Sequence, residues 1–207
     1  MAHYRTSLFD EGLPLEDCFR RVQVLFYDEG TNTESTTSLE YLDELLLMLQ
    51  YQTNRSSAVV KSIASFVRDV ATYHPNACHY LLIHLVSLPD PIPFMDVMAS
   101  MFCVASPSLV TEAVKQLKLL PERDSTLLLP VIAVMADLPL SPDLLSELYE
   151  LAEGAIDRVE ESELPALFRT LLKSLCPQKA EKTLLKIRNE VSRAPLYFNV
   201  LICVIFK

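Results

Sequence analysis

Glycine is nearly missing from this chain, with three in 207 residues, and tryptophan is missing altogether. A backbone so poor in glycine cannot turn tightly at many places or draw close around a phosphate chain, which argues against a turn-dense β architecture and a glycine-rich nucleotide fold. No GxxxxGK[ST], GxGxxG, HExxH or GxSxG pattern occurs either, so the common phosphate-cradling, zinc-protease and nucleophile-elbow chemistries have no footing. The five cysteines, Cys18, Cys78, Cys103, Cys176 and Cys203, are odd in number, scattered and without a CxxC pair. That set argues against a disulfide scaffold or a zinc knuckle and for a reducing intracellular compartment.

Positive charge is also in short supply: 18 Lys and Arg face 27 Asp and Glu, a net charge of −9. Such a chain is not expected to coat nucleic acid over its whole surface, although a local basic strip remains open. Residues 1–10 lack the basic start and apolar run of a signal peptide, so secretion is not expected. The one long apolar run, LYFNVLICVIF at 196–206, is well short of the roughly 20 residues a membrane-spanning helix needs. No membrane partner is expected. The β-branched and aromatic make-up of that run departs from the texture before it, as in a chain that stops inside a longer protein or has an alternative C-terminus.

What the chain has is leucine at helical spacing, within a composition that is 50% hydrophobic. After Pro14, Leu15, Phe19, Val22 and Phe26 form one stripe. The polar stretch 28–38 reads as an exposed loop ending in a capping box, Thr37 with Glu40. A second helix to about Gln52 carries Leu42, Leu45, Leu46 and Leu49. A third, after Ser56 and Ser57, carries Val59, Val60, Ile63, Phe66, Val67 and Val70, and Pro75 ends it. A fourth holds Leu81, His84, Leu85 and Leu88. Pro89, Pro91 and Pro93 then mark a connector, because each proline fixes its own φ and disfavours helix at the residue before it. Phe94, Val97, Met98 and Met101 restart the pattern.

From there the sequence repeats. SPSLVTE at Ser106–Glu112 recurs as SPDLLSE at Ser141–Glu147, and Cys176 and Pro177 begin a third copy after the same step of 35 residues. Leu129 and Pro130 return as Leu164 and Pro165. A serine at the N-cap accepts a bond from an orphan N–H, and a proline at the first helical position has no N–H to waste, so each copy marks a helix start. Two helices per repeat predict an all-α, HEAT-like helical-hairpin solenoid with a step of about 35 residues, since stacked hairpins bury together what none buries alone. The expected organisation is a flexible terminus over 1–14, one solenoid domain over 15–195 with its clearest repeats in 106–191, and an atypical apolar tail over 196–207.

Chemistry-bearing constellations are sparse. His74, Cys78, His79 and His84 lie close in sequence, but Pro75 interrupts them and no carboxylate or second cysteine completes a tetrahedral set. Helix-capping or core histidines are the favoured reading. No catalytic residue, metal or cofactor is expected, and the chain is read as a non-enzyme. Glu160, Glu161 and Glu163 suit the first turn of a helix starting near Leu164.

Charge is the one asymmetric feature. Residues 166–207 hold eight basic side chains, Arg169, Lys173, Lys179, Lys182, Lys186, Arg188, Arg193 and Lys207, against Glu181 and Glu190, a local net of +6. Lys179, Lys182 and Lys186 step by three and four onto one helix face, and Arg169 and Lys173 do the same on the preceding helix. These five are the candidate nucleic-acid-binding residues, a strip over 169–193 gaining affinity for a DNA backbone through released counterions. The alternative is a solvated outer face, which the lack of interleaved aromatics for base stacking favours.

Against this background the segment Pro130–Val191 resembles the N-terminal solenoid of the paired Fanconi anaemia proteins, the group I protein and its group D paralogue. The likeness rests on the D-L-P-L-S run at Asp137–Ser141, the spacing to Glu163, Leu164 and Pro165, and the pair Leu171 and Leu172. It implies a non-catalytic nuclear scaffold that pairs with its paralogue and closes around DNA in interstrand-crosslink repair under the control of monoubiquitination. The modified lysine of that family falls beyond the first two hundred residues, so no lysine here takes the role, and the chain would be an N-terminal fragment. Large HEAT-type scaffolds such as Integrator subunits are similar in texture around residues 71–85. They imply the alternative: a nuclear or cytoplasmic protein-only adaptor whose partners are other subunits of a large complex.

Overall fold

The structure, a computed structural model, describes residues 13–28, 36–51, 56–174 and 179–193, except the side chains of residues 28, 36–38, 180, 182 and 190–193. Among the described residues it is all helix. In chain order the elements are α1 (Leu15–Asp28), α2 (Thr36–Tyr51), α3 (Ser57–Tyr73), α4 (Ala77–Leu85), α5 (Ile92–Phe102), α6 (Pro107–Arg123), a 3-10 turn (Ser125–Leu127), α7 (Leu128–Asp137), α8 (Pro142–Ala155), α9 (Leu164–Lys173) and α10 (Ala180–Arg193). Of the loop predicted over 28–38, residues 29–35 lie outside what is described, while Asp28 ends α1 and residues 36–38 already belong to α2, so the helix starts before Thr37, the expected capping residue. The third serine-proline-type copy at 176 and the apolar tail at 196–207 also lie outside what is described. No helix among the described residues is long and apolar enough to cross a membrane.

The chain divides into two compact units, residues 1–116 and 117–207. In the first, the stripes read from the sequence are the buried ones: Phe19, Val22 and Phe26 of α1, Leu42, Leu45, Leu46 and Leu49 of α2, Val60, Ile63, Phe66, Val67 and Val70 of α3. Neighbours in sequence pack as α1 on α2, α3 on α4 and α4 on α5, and helices two apart pack as α1 on α3, α2 on α4 and α3 on α5. Phe66 sits edge-on to both Phe19 (5.6 Å between ring centres) and Phe26 (5.5 Å). Such T-shaped contacts align the positive edge of one ring with the negative face of another.

The local stops and starts follow their residues. Ser56 caps α3 by accepting from the Ala58 N–H at 3.3 Å. At the other end, the His74 N–H donates to the Val70 carbonyl at 2.8 Å and Pro75 prevents continuation. Ser106 and Ser141, the repeated serines, are both N-caps: each hydroxyl accepts from the N–H three residues on, Leu109 and Leu144, at 3.4 Å.

In the second unit α7, α8 and α9 pack against one another in all three pairs. Their core is Val131, Ile132 and Met135 of α7, Leu144, Leu148, Tyr149 and Ala152 of α8, and Leu167, Phe168 and Leu171 of α9. Two features go beyond the sequence reading. Pro121 lies inside α6, in its last turn, where the ring removes one backbone bond of a helix already about to end. The start of α7 depends less on Leu129 and Pro130 than on Asp124, whose carboxylate accepts from the Thr126 N–H (2.9 Å) and hydroxyl (2.7 Å) and shapes the 3-10 turn. Those two bonds, the hydroxyl's foremost, hold the Asp124 carboxyl below its usual range.

Candidate interaction surface

The basic residues singled out in the sequence sit on α9 and α10. α10 buries Thr183 and Ile187 and leaves Leu184 and Leu185 about half exposed. Its seat is α8: the Tyr149 and Thr183 hydroxyls lie 2.6 Å apart, and Thr183 donates to its own helix at the Lys179 carbonyl, 2.8 Å away. Because the Thr183 proton is committed there, the Tyr149 hydroxyl is the donor between the helices, and a buried phenol finds the partner it needs.

The lysines are partnered by the same helix. The Lys179 ammonium stands 4.4 Å from the centre of the Tyr149 ring, 3.2 Å from the Ser146 hydroxyl and 3.4 Å from the Glu150 carboxylate. It makes a cation–π contact and an ion pair at one point. The Lys186 ammonium donates to the Glu153 carbonyl at 3.2 Å, in the last turn of α8, where the helix dipole favours a cation. On α9, Lys173 reaches Asp137, the last residue of α7, at 3.5 Å. Arg169 is exposed. The Lys182 side chain lies outside the described set. Thus Lys173, Lys179 and Lys186 each engage a neighbouring helix. Their partners are 29 to 36 residues away in sequence, a separation that leaves no local signal to read.

The histidine and cysteine group is dispersed. His74 is buried at the end of α3 with its ring edge-on to Phe26 at 5.8 Å. His79 is exposed. His84 is 7% exposed and bridges two helices: its Nε2 lies 2.7 Å from an Asp43 carboxylate oxygen, and its Nδ1 lies 2.7 Å from the Gln50 amide nitrogen. The tautomer with a proton on Nε2 meets both contacts, donating to Asp43 and accepting from Gln50. His84 was legible as a core histidine, but its two α2 partners were not. Burial pushes the Cys78 thiol up to about 11, and its Sγ faces the Met101 carbonyl at 3.6 Å. Burial also raises Cys18, whereas Cys103 is exposed. Among the described residues no three His, Cys, Asp or Glu side chains group as metal ligands.

Compared with protein families, with curated proteins and with solved structures, the chain finds no match in any of the three.

Proposed function

We propose that this chain is a non-catalytic helical scaffold, a HEAT-like array of hairpins whose work is to hold protein partners together in a larger, nuclear assembly. The array reading is supported by first-unit helices that pack both on a sequence neighbour (α1 on α2, α3 on α4, α4 on α5) and two apart (α1 on α3, α2 on α4, α3 on α5), as in stacked hairpins. The paired serine caps 35 residues apart support it too. The observation that carries the protein-adaptor reading is the engagement of Lys173, Lys179 and Lys186 by Asp137, Glu150 and the Glu153 carbonyl. A DNA phosphate would have to compete with each of those partners for its cation.

A DNA-clamp role of the Fanconi anaemia type, in company with a paralogous solenoid, is the second reading. Exposed Arg169 and the local excess of positive charge after residue 165 favour it.

Fluorescence anisotropy of branched and linear duplex DNA, titrated with the purified chain across a salt series, tests the choice. The adaptor reading expects no salt-steep binding even at about 50 mM salt, where several phosphate contacts would show plainly. Binding that weakens steeply with salt and falls with Arg169→Glu, a change on an exposed side chain, would overturn it in favour of the clamp.

A further inference from the structure

A cleft of about 320 Å3 lies in the second unit, lined by Pro121, Ser125, Thr126, Leu128, Leu129, Arg158, Val159, Glu160 and Glu163. One wall comes from the end of α6, the 3-10 turn and the start of α7, and the other from the connection between α8 and α9. We propose that it is a docking site for a basic peptide segment of a partner protein, which inserts one apolar side chain into the cleft and rests its cations on the α8–α9 connection. The proposal rests on the protein-adaptor reading and names its partner's chemistry.

The cleft is built before anything enters it. On one wall, Asp124 holds the 3-10 turn through Thr126. On the other, Arg158 and Val159 donate from their backbone to the Ala155 carbonyl at 2.9 and 3.1 Å, and the Glu163 N–H donates to the Glu160 carbonyl at 2.9 Å. A Glu163 carboxylate oxygen accepts the Glu160 N–H at 3.1 Å, which turns that side chain inward on its own loop. Little ordering cost is left for a ligand to meet.

Size and lining select the occupant. At the low end of the roughly 300–1,000 Å3 range of ligand pockets, the cleft suits an anchoring side chain better than a cofactor. Pro121, Leu128, Leu129 and Val159 are all half-buried, so their outward apolar surface is available to it. The surroundings are acidic on balance: Glu160 lines the cleft, and Glu122, Asp124, Asp157 and Glu161 are exposed in the segments that form its walls, against the exposed cations Arg123 and Arg158. Charge complementarity therefore calls for a partner rich in Lys or Arg next to its apolar anchor.

The test is titration of the full chain into a fluorescein-labelled short peptide of Lys and Arg flanking a central Leu-Phe pair. Alongside it run a version with Ser in place of Leu-Phe and a charge-reversed version with Glu in place of every cation. The expected result is a dissociation constant of about 10–100 µM, as befits a small interface, weakened at about 0.5 M salt and at least tenfold poorer for both altered peptides. Glu160→Lys with Glu161→Lys, changes confined to exposed side chains, abolishes binding, and Val159→Trp, which fills the cleft, does the same. Glu16→Lys with Asp96→Lys, exposed carboxylates of the first unit, leaves it intact. Equal binding of the Ser peptide, or equal loss with the first-unit pair, would show a general attraction to an acidic chain and overturn the site. So would no binding at all. DNA binding in the preceding experiment sinks the adaptor reading without touching these titrations, so the two failures are told apart.

Discussion

The two units solve the same problem, holding helices side by side, with different interactions. The first relies on rings and leucines, with a part-buried polar bridge, His84 to Asp43 and Gln50, linking α4 to α2. The second adds to its apolar core a set of polar ties at its edges: Tyr149 to Thr183, Lys179 to Glu150, Lys173 to Asp137 and Lys118 to Glu147. Apolar burial is non-directional and is not weakened by charge screening, whereas a tie between exposed charges is. The difference teaches that α10, seated largely by hydroxyl and ammonium contacts, is held by terms individually worth little.

Truncating the aromatic cluster breaks the comparison most sharply. Phe66→Ala removes a ring that is 3% exposed and touches two others, and costs the first unit about 3–5 kcal/mol. In urea unfolding followed by circular dichroism, the first unit's transition moves to lower denaturant and the second's stays in place. A single transition shifting as a whole would show that the units unfold together. Next in size, His84→Leu leaves the Gln50 amide and the Asp43 carboxylate without their central partner. With Asp43 able to take water at its exposed side, the loss is about 1–3 kcal/mol, seen in the same transition.

Smaller effects sharpen the account of the second unit. Tyr149→Phe deletes the donor to Thr183 while Thr183 keeps its bond to the Lys179 carbonyl. It costs about 1 kcal/mol, and hydrogen exchange of the α10 amides rises while that of α7 does not. Smallest is the Lys118–Glu147 pair, at 3.0 Å with both side chains more than two-fifths exposed. A double-mutant cycle through Lys118→Ala and Glu147→Ala returns a coupling of about 0.2–1 kcal/mol that fades at about 1 M salt. A larger coupling would mean that the pair is better shielded than its exposure indicates.

Much of the helical layout was legible before any coordinates. The stripes of α1, α2 and α3 and the serine caps at 56, 106 and 141 are local features, decided within one or two turns of chain. Asp124 was missed because its cap belongs to a 3-10 turn, too short to carry a periodic stripe. The candidate site was legible only in composition: the cations of α9 and α10 were visible, but the residues that engage them were not. The cleft beside the 3-10 turn gave no signal at all, since its two walls are separated by some thirty residues of α7 and α8.

The amino-acid order by itself determined which segments are helical and which face of each is apolar, because 3.6-residue periodicity and end-capping act between near neighbours. Tertiary structure alone decided what those faces and charges meet. His84 found Asp43 and Gln50, 41 and 34 residues earlier, and Lys179 found Glu150, 29 residues earlier. Those pairings depend on how helices pack in space, and side-chain spacing along one helix carries no record of its neighbours.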